Sequence, residues 1–235
     1  MLHPIETRPY LSDGDFRADY LDQKPIRLTA MTARWPALQW TFAGLKERVG
    51  TTNVVIKRYA PADSVDFFTE TTRSGRPVVL GEWLRQLDEG VADAAWCLRE
   101  SSAPFEHHPE LVADFDFRGV FPRGRQRFRH YLWAGPAGYV TGLHTDEITI
   151  NLLAHIAGRK RVVLYPNGAE VQFGPTTRSE IDGARYANVN PLELNVEGTV
   201  AELEPGDLLY IPQGYWHWAV AHTACLSLTG ASETA

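Results

Sequence analysis

The chain has 235 residues, 44% of them hydrophobic and 22% charged, an ordinary globular composition that excludes a disordered chain and suits one well-filled domain spanning 1–235. A formal net charge of −6 argues against general nucleic-acid binding. Two cysteines, Cys97 and Cys225, lie in no metal-like spacing and read as reduced thiols of a cytoplasmic protein.

The chain opens on MLHPIETRPYLSDGDF, which lacks a basic-then-apolar leader, and no apolar run approaches membrane-spanning length, so no membrane partner is expected. Lys24 to Thr29 reads as a short strand. Trp40 to Val49 has helical spacing and is closed by Gly50. Asn53 to Tyr59 is rich in β-branched residues and reads as a strand. Leu80 to Glu89 puts Leu80, Trp83, Leu84 and Leu87 on one helical face, with Gly90 ending it. Ala94 to Arg99 is a further strand and Pro109 to Asp114 a short helix.

The pattern changes near residue 125, dividing a mixed α/β part (1–125) from a β part (126–235). Eight short β-branched or aromatic segments follow, bounded by Gly, Pro or Asn: Arg127–Trp133, Gly138–Leu143, Thr149–Ile156, Lys160–Tyr165, Thr199–Leu203, Asp207–Ile211, Trp216–Ala221 and Ala224–Thr229. They predict a mainly β fold with flanking helices, a double-stranded β-helix of the jelly-roll or cupin kind, with the earlier helices covering one sheet. Pro166 to Asn195 interrupts this rhythm, either as a functional lid or as a long barrel connection.

His144 and Asp146, in TGLHTDEITIN, are two residues apart and face one way in a strand. One imidazole and one carboxylate are two members of a 2-His-1-carboxylate set, which leaves open positions on Fe(II). The set needs a second histidine, and the best candidate is His217, reached through the PGD turn, the apolar strand and the Pro212-Gln213-Gly214 turn of PGDLLYIPQGYWH.

Together TGLHTD, NLLAHIAGRKRVVLYP and PGDLLYIPQGYWH resemble the JmjC-domain and cupin-like Fe(II)/2-oxoglutarate oxygenases, most of all the hydroxylase branch containing the asparaginyl hydroxylase that inhibits hypoxia-inducible factor. The likeness is specific from Leu132 to Thr229 and looser upstream, in KPIRLTAMTARWPA and LGEWLRQL. It implies a dioxygenase that uses Fe(II), 2-oxoglutarate and O2, and hydroxylates an unactivated C–H of an amino-acid side chain while 2-oxoglutarate becomes succinate and CO2. By position it implies His144, Asp146 and His217 as metal ligands and catalytic centre. Lys160, Thr141 and Asn151 fall on cosubstrate positions. A lysine with a hydroxyl partner suits the far carboxylate of a dicarboxylate.

Some matches depart from the family. Asn151 stands seven positions after His144 rather than the family's six, which in one continuous strand turns Asn151 away. Either a turn or bulge over Glu147 to Ile150 restores the inward face for Asn151, Leu153 and His155, or Asn151 has lost its role. Ser227 or Thr229 is the polar contact on the last strand, without the family's aromatic continuation. His155, Glu147, Tyr139 and Trp216 are substrate-contact candidates, with a buried hydrogen-bonded residue as the plainer reading of His155. Alternation separates Lys160 from Arg159 and Arg161. Arginines 123, 125, 127 and 129 form either a docking strip for an acidic group or a solvated strand face.

The expected partner is a peptide, a protein or a small amino-acid-like substrate. The same chemistry on a free amino acid or natural-product intermediate, N-methyl demethylation, and a non-oxidative metal-binding cupin are the alternatives.

Overall fold

A computed structural model describes residues 1–58, 75–120, 128–146, 150–178 and 184–232. Its strands are β1 (Leu2–Pro4), β2 (Thr7–Arg8), β3 (Ile26–Leu28), β4 (Asn53–Arg58), β5 (Gly75–Val79), β6 (Trp96–Ser101), β7 (Arg129–Gly135), β8 (Val140–Thr145), β9 (Ile150–Ala157), β10 (Lys160–Tyr165), β11 (Thr176–Arg178), β12 (Arg185–Ala187), β13 (Gly198–Leu203), β14 (Leu208–Pro212), β15 (Trp216–Ala221) and β16 (Cys225–Ser232). They form two sheets, one ordered β1-β13-β10-β15-β8-β12-β11 and the other β2-β3-β14-β9-β16-β7-β6-β4-β5.

The centre of each sheet is built from four of the eight predicted barrel strands: β13, β10, β15 and β8 in the smaller, β14, β9, β16 and β7 in the larger. From β7 to β10 the chain alternates between sheets, and it alternates again from β13 to β16. The turning point is the antiparallel pair β10·β13, in which Lys160 faces Leu203 and Leu164 faces Thr199. This is the double-stranded β-helix that the strand rhythm predicted.

Period-2 alternation assigns the faces of the larger sheet. Leu132 and Ala134, Leu152, Ala154 and Ile156, Leu208 and Tyr210, and Leu226 and Leu228 point outward into one apolar cluster. The helices complete that cluster. Leu80, Trp83, Leu84 and Leu87 are buried on the helix Leu80–Asp88, and Leu45 and Val49 on Phe42–Val49. Each such side chain contributes about 1.5–3 kcal/mol when fully withdrawn from water. Thr41 caps the second of these helices, its hydroxyl accepting from the Gly44 amide at 3.0 Å. The two helices meet where a Cβ on Gly81 would stand 2.8 Å from the Gly50 Cα, so only glycine permits the approach. Trp83 ties this layer to the barrel by donating its indole N–H to the Ala134 carbonyl at 3.0 Å.

The outer face of the smaller sheet is covered by the segment that broke the strand rhythm. Ala169, Phe173, Ala187 and Val196 pack there on Leu143, Val163, Trp216 and Trp218. The short strands β11 and β12 within it extend the sheet beyond β8, with Tyr186 opposite His144. Pro109–Asp114 is the predicted short helix, in 3-10 form. The helix Asp13–Asp19, β5 and the pair β11·β12 are among the elements not anticipated. The helix Asp13–Asp19 begins at Ser12, whose side chain accepts from the Asp15 amide. Cys97 and Cys225 are free and buried, and burial pushes the Cys97 thiol up to about 12. No helix of the described residues is long and apolar enough to cross a membrane.

Candidate metal and cosubstrate site

The inward faces of the two sheets enclose a cavity of about 600 Å³, counting its opening. His144, Asp146, His217, Thr141, Asn151, Lys160 and Thr229 all line it.

A bulge in β8 positions one side of this site. His217 lies opposite His144 and Ala219 opposite Thr141, so two residues of β15 face three of β8. The extra residue lets Thr141 and His144, three apart, both point inward. It also leaves the Gly142 carbonyl 2.7 Å from Nδ1 of His144. Nδ1 of His217 lies 3.1 Å from the Tyr215 carbonyl in the same way. A carbonyl can only accept, so each Nδ1 carries the proton and each Nε2 keeps its lone pair.

Those lone pairs converge. Nε2 of His217 is 3.4 Å from Asp146 Oδ2, and Nε2 of His144 is 3.8 Å from Oδ1. The three donor atoms lie within 4.8 Å of one another. Two imidazole nitrogens and a carboxylate oxygen match the donor set of a facial Fe(II) site, with both rings held by second partners. His144 also stacks on Tyr186, the rings 5.6 Å apart and 10° from parallel.

The electrostatics favour a cation here. Burial, then the neighbouring His217, hold His144 below the usual imidazole range and keep it neutral. For Asp146 burial opposes ionisation, but His217 and His144 outweigh it and hold the carboxyl well below the usual range. For His217 burial also opposes charge, and Asp146 overcomes it, raising the imidazole.

Across the cavity, Lys160 is 3% exposed. Its Nζ donates to Ser227 Oγ at 3.1 Å and lies 5.9 Å from the Tyr139 ring centre. Among the described residues no carboxylate contacts it, and burial lowers its pKa. A buried ammonium without an anion is a receptor for one. Thr141 is the adjacent hydroxyl on the lining, itself hydrogen-bonded to the Tyr139 hydroxyl at 2.7 Å.

Behind Lys160 runs a chain of hydrogen bonds. Nε2 of His155 is 3.0 Å from the Gly158 carbonyl and must donate to it. Nδ1, 3.1 Å from Ser227 Oγ, therefore accepts the serine proton, leaving the serine oxygen to accept from Lys160. Burial, with the Lys160 charge second, brings His155 down to about 3, which keeps the ring neutral as this chain requires. His155 supports the lysine from behind and is fully buried, away from the lining.

The other expected contacts are placed as follows. Asn151 is on the lining and donates through Nδ2 to Asp146 Oδ2 at 2.9 Å. The parity objection to it dissolves because His144 and Asn151 are not on one strand: β8 and β9 belong to opposite sheets facing the same cavity. Glu147 and the proposed bulge at 147–149 lie outside the described residues, as do Arg123, Arg125 and Arg127. Thr229 lines the cavity and accepts the Trp133 indole N–H at 3.0 Å. Tyr139 is 2% exposed and sits beneath Thr141, not on the lining. Trp216 faces the opposite way from its neighbour His217, into the outer cluster with Phe173, and gives its indole N–H to Glu170. Alternation separated Lys160 correctly from Arg161, which pairs with Glu202 on the surface.

Leu153 lines the cavity, as its inward parity predicted, but sequence reasoning missed Tyr131, Trp133 and Glu100 as cavity walls. For Tyr131 and Trp133 the signal was present, since they alternate with the outward Leu132 and Ala134. For Glu100 it was not.

The chain matches the family model described as a cupin-like domain over residues 15–229. It is 26% identical to the lysine-specific demethylase JMJ30 of Arabidopsis thaliana across 96% of this chain and 54% of that protein. It is also 26% identical to an HSPB1-associated protein 1 homolog of Danio rerio (91% of this chain, 53% of that protein) and to lysine-specific demethylase 8 of Xenopus tropicalis (86% and 47%). The chain thus spans about half the length of the curated relatives it matches. With the match covering both sheets and the His144, Asp146 and His217 grouping able to hold a metal ion, this chain belongs to the cupin-like JmjC family, whose members are Fe(II)- and 2-oxoglutarate-dependent oxygenases.

Proposed function

We propose that this protein is a hydroxylase that inserts oxygen into an unactivated C–H bond of an amino-acid side chain in a peptide or protein. The observation that carries the reading is the pairing, in one cavity, of the His144, Asp146 and His217 donor set with the anion-less ammonium of Lys160. A ligand with a metal-chelating end and a distant carboxylate answers both, and 2-oxoglutarate has that form. When bound, Fe(II) and 2-oxoglutarate supply O2-dependent oxygen insertion coupled to release of succinate and CO2.

The protein's own part is to hold and shield. His144, Asp146 and His217 would hold the metal, with Asn151 orienting the aspartate. Lys160 and Thr141 would receive the far carboxylate, Ser227 and Tyr139 fixing the donors' directions. Leu153, Val162, Ile211, Ala219 and Ala231, with Tyr131 and Trp133, give the cavity apolar walls that exclude water from the reacting C–H bond.

Demethylation is the same oxygen insertion at an N-methyl carbon, after which formaldehyde departs, and relatives named as lysine-specific demethylases make it the second reading. Incubation with Fe(II), ascorbate, 2-oxoglutarate and a peptide library, read by mass spectrometry, separates the two. The proposal requires a stable +16 product with matching succinate. Formaldehyde with loss of a methyl group would establish demethylation instead, and absence of succinate would sink both.

A further inference from the structure

Resting on the oxygenase reading and its metal site, we propose that the chain between β10 and β13 clamps the metal centre from outside, with Glu170 and Tyr186 as positioning residues for His217 and His144. This is the stretch that interrupts the strand rhythm of the sequence, and its apolar residues pack on the outer face of the smaller sheet. Its polar and ring contacts fall on the two strands that carry the histidines, β8 and β15.

Glu170 is the hub, in the 3-10 turn Ala169–Gln172 that follows β10. Its Oε1 accepts from Arg185 at 2.8 Å, and its Oε2 accepts from the Trp216 indole at 3.1 Å and from the Gly168 amide at 2.8 Å. The Arg185 guanidinium lies 5.2 Å from the Trp216 ring centre, and Phe173 meets that ring edge-on at 5.3 Å. Trp216 is fully buried and stands between His217 and Tyr215, the residue whose carbonyl holds Nδ1 of His217. Arg185 also donates to Asn167 at 3.3 Å. Asn167 abuts the turn that feeds β15, since a Cβ on Gly214 would stand 3.3 Å from its Nδ2. The Gly214 amide in turn reaches the Asp146 carbonyl at 3.5 Å.

The other arm of the clamp follows from alternation. Arg185 points outward to Glu170, so its neighbour Tyr186 points inward, and the register sets it opposite His144. The two rings lie 5.6 Å apart and 10° from parallel. The Gly142 carbonyl holds one edge of the imidazole and the Tyr186 face holds its plane, which together aim Nε2 at the donor set. β12 meets β8 at two residue pairs, Arg185 with Thr145 and Tyr186 with His144, and so short a ladder is marginal by itself. The Glu170 hub therefore supplies the order that keeps Tyr186 on His144. Partners of this kind fix the orientation of a ligating histidine, and the coupling is reciprocal: a metal ion that needs the clamp closed must also stabilise it.

Hydrogen–deuterium exchange of the wild-type protein with and without Mn(II) reads the coupling directly: Mn(II) should slow exchange several-fold at the amides of 169–172 and 185–187. Glu170→Gln and Arg185→Gln should each weaken Mn(II) binding roughly tenfold in equilibrium dialysis, although they change the net charge in opposite directions. Tyr186→Leu should weaken it similarly with no change of charge, and the visible spectrum of bound Co(II) should differ from wild type in all three variants. A segment that served folding alone would lower Tm in these variants and leave the Mn(II) affinity and the Co(II) spectrum as in the wild type. A simple field effect would weaken Mn(II) binding in Glu170→Gln and strengthen it in Arg185→Gln. Either pattern, or exchange that Mn(II) leaves unaltered, overturns the proposal, and the exchange measurement stands even where a variant fails to fold. Failure of the wild-type protein to bind Mn(II) at all would instead overturn the oxygenase reading, so the two failures are distinguishable.

Discussion

Lys160→Met should make the ligand-free protein more stable and the cosubstrate complex much weaker. The substitution keeps the length of the side chain and removes an ammonium that is 3% exposed and held by a hydroxyl at 3.1 Å and a ring at 5.9 Å. Replacing a buried charge by an apolar group of similar volume stabilises on the order of 1 kcal/mol or more, which for a chain of this length raises Tm by about 2–4 °C. Ser227 still donates to His155, so no new orphan donor appears. The pH dependence has a definite sign. Burial holds the folded-state pKa of Lys160 below its unfolded value, so the unfolded chain binds more protons between the two. Wild-type stability therefore rises relative to Lys160→Met as pH climbs toward the ordinary lysine range, and the gap closes. Ligand binding runs the other way. Losing a charged partner for the far carboxylate costs about 2–3 kcal/mol, roughly 30- to 150-fold in affinity. With Mn(II) present and 2-oxoglutarate at a hundred times the wild-type Kd, the wild type gains about 2.7 kcal/mol and the variant less than about 1 kcal/mol. Thermal unfolding of both proteins, with and without ligand and across pH, measures all three effects. A variant that is less stable without ligand, or that gains as much from 2-oxoglutarate as the wild type, would refute the reasoning.

His144→Ala and Asp146→Ala should each abolish Mn(II) binding in equilibrium dialysis while the far-ultraviolet circular dichroism stays native, because these side chains serve the ligand set and not the apolar clusters. Ser227→Ala removes the acceptor for Lys160 and the donor to His155, so calorimetry on the Mn(II) protein should show 2-oxoglutarate binding weakened about 3- to 10-fold, with the Mn(II) affinity unaltered. Gly158→Ala places a Cβ 2.1 Å from the Ala224 carbonyl oxygen at φ +82°. It should cost more than about 2 kcal/mol in urea unfolding, and should also weaken 2-oxoglutarate binding, because the Gly158 carbonyl anchors His155.

The sequence was most legible where chemistry and period agreed. The eight barrel segments all form strands, and His144, Asp146 and His217 converge as their spacing suggested, because turn residues and β-branched runs fix both ends of each strand. What alternation could not reveal were the places where the ladder slips. The three-residue step from Thr141 to His144 works through a bulge in β8, and Glu100 reaches the cavity through another in β6. Asn151 posed a difficulty only while β8 and β9 were imagined as one strand. His155 follows the plainer of its two readings, a buried hydrogen-bonded residue: its parity is inward, but it lies opposite Ser227 of β16, and that pairing sets it behind the cavity wall and not on it. Trp216 is the one misjudged contact that the sequence could have corrected, since a residue next to an inward His217 in a strand faces outward.

The central claim is that one cavity takes the metal at His144, Asp146 and His217 and a dicarboxylate at Lys160. A crystal structure of the protein with Mn(II) and 2-oxoglutarate tests it most directly. The account predicts the ion bonded to Nε2 of both histidines and to Asp146, with the far carboxylate on Lys160 Nζ and Thr141 Oγ1. An ion bound elsewhere, or a 2-oxoglutarate whose far carboxylate leaves Lys160 without an anion, would contradict it.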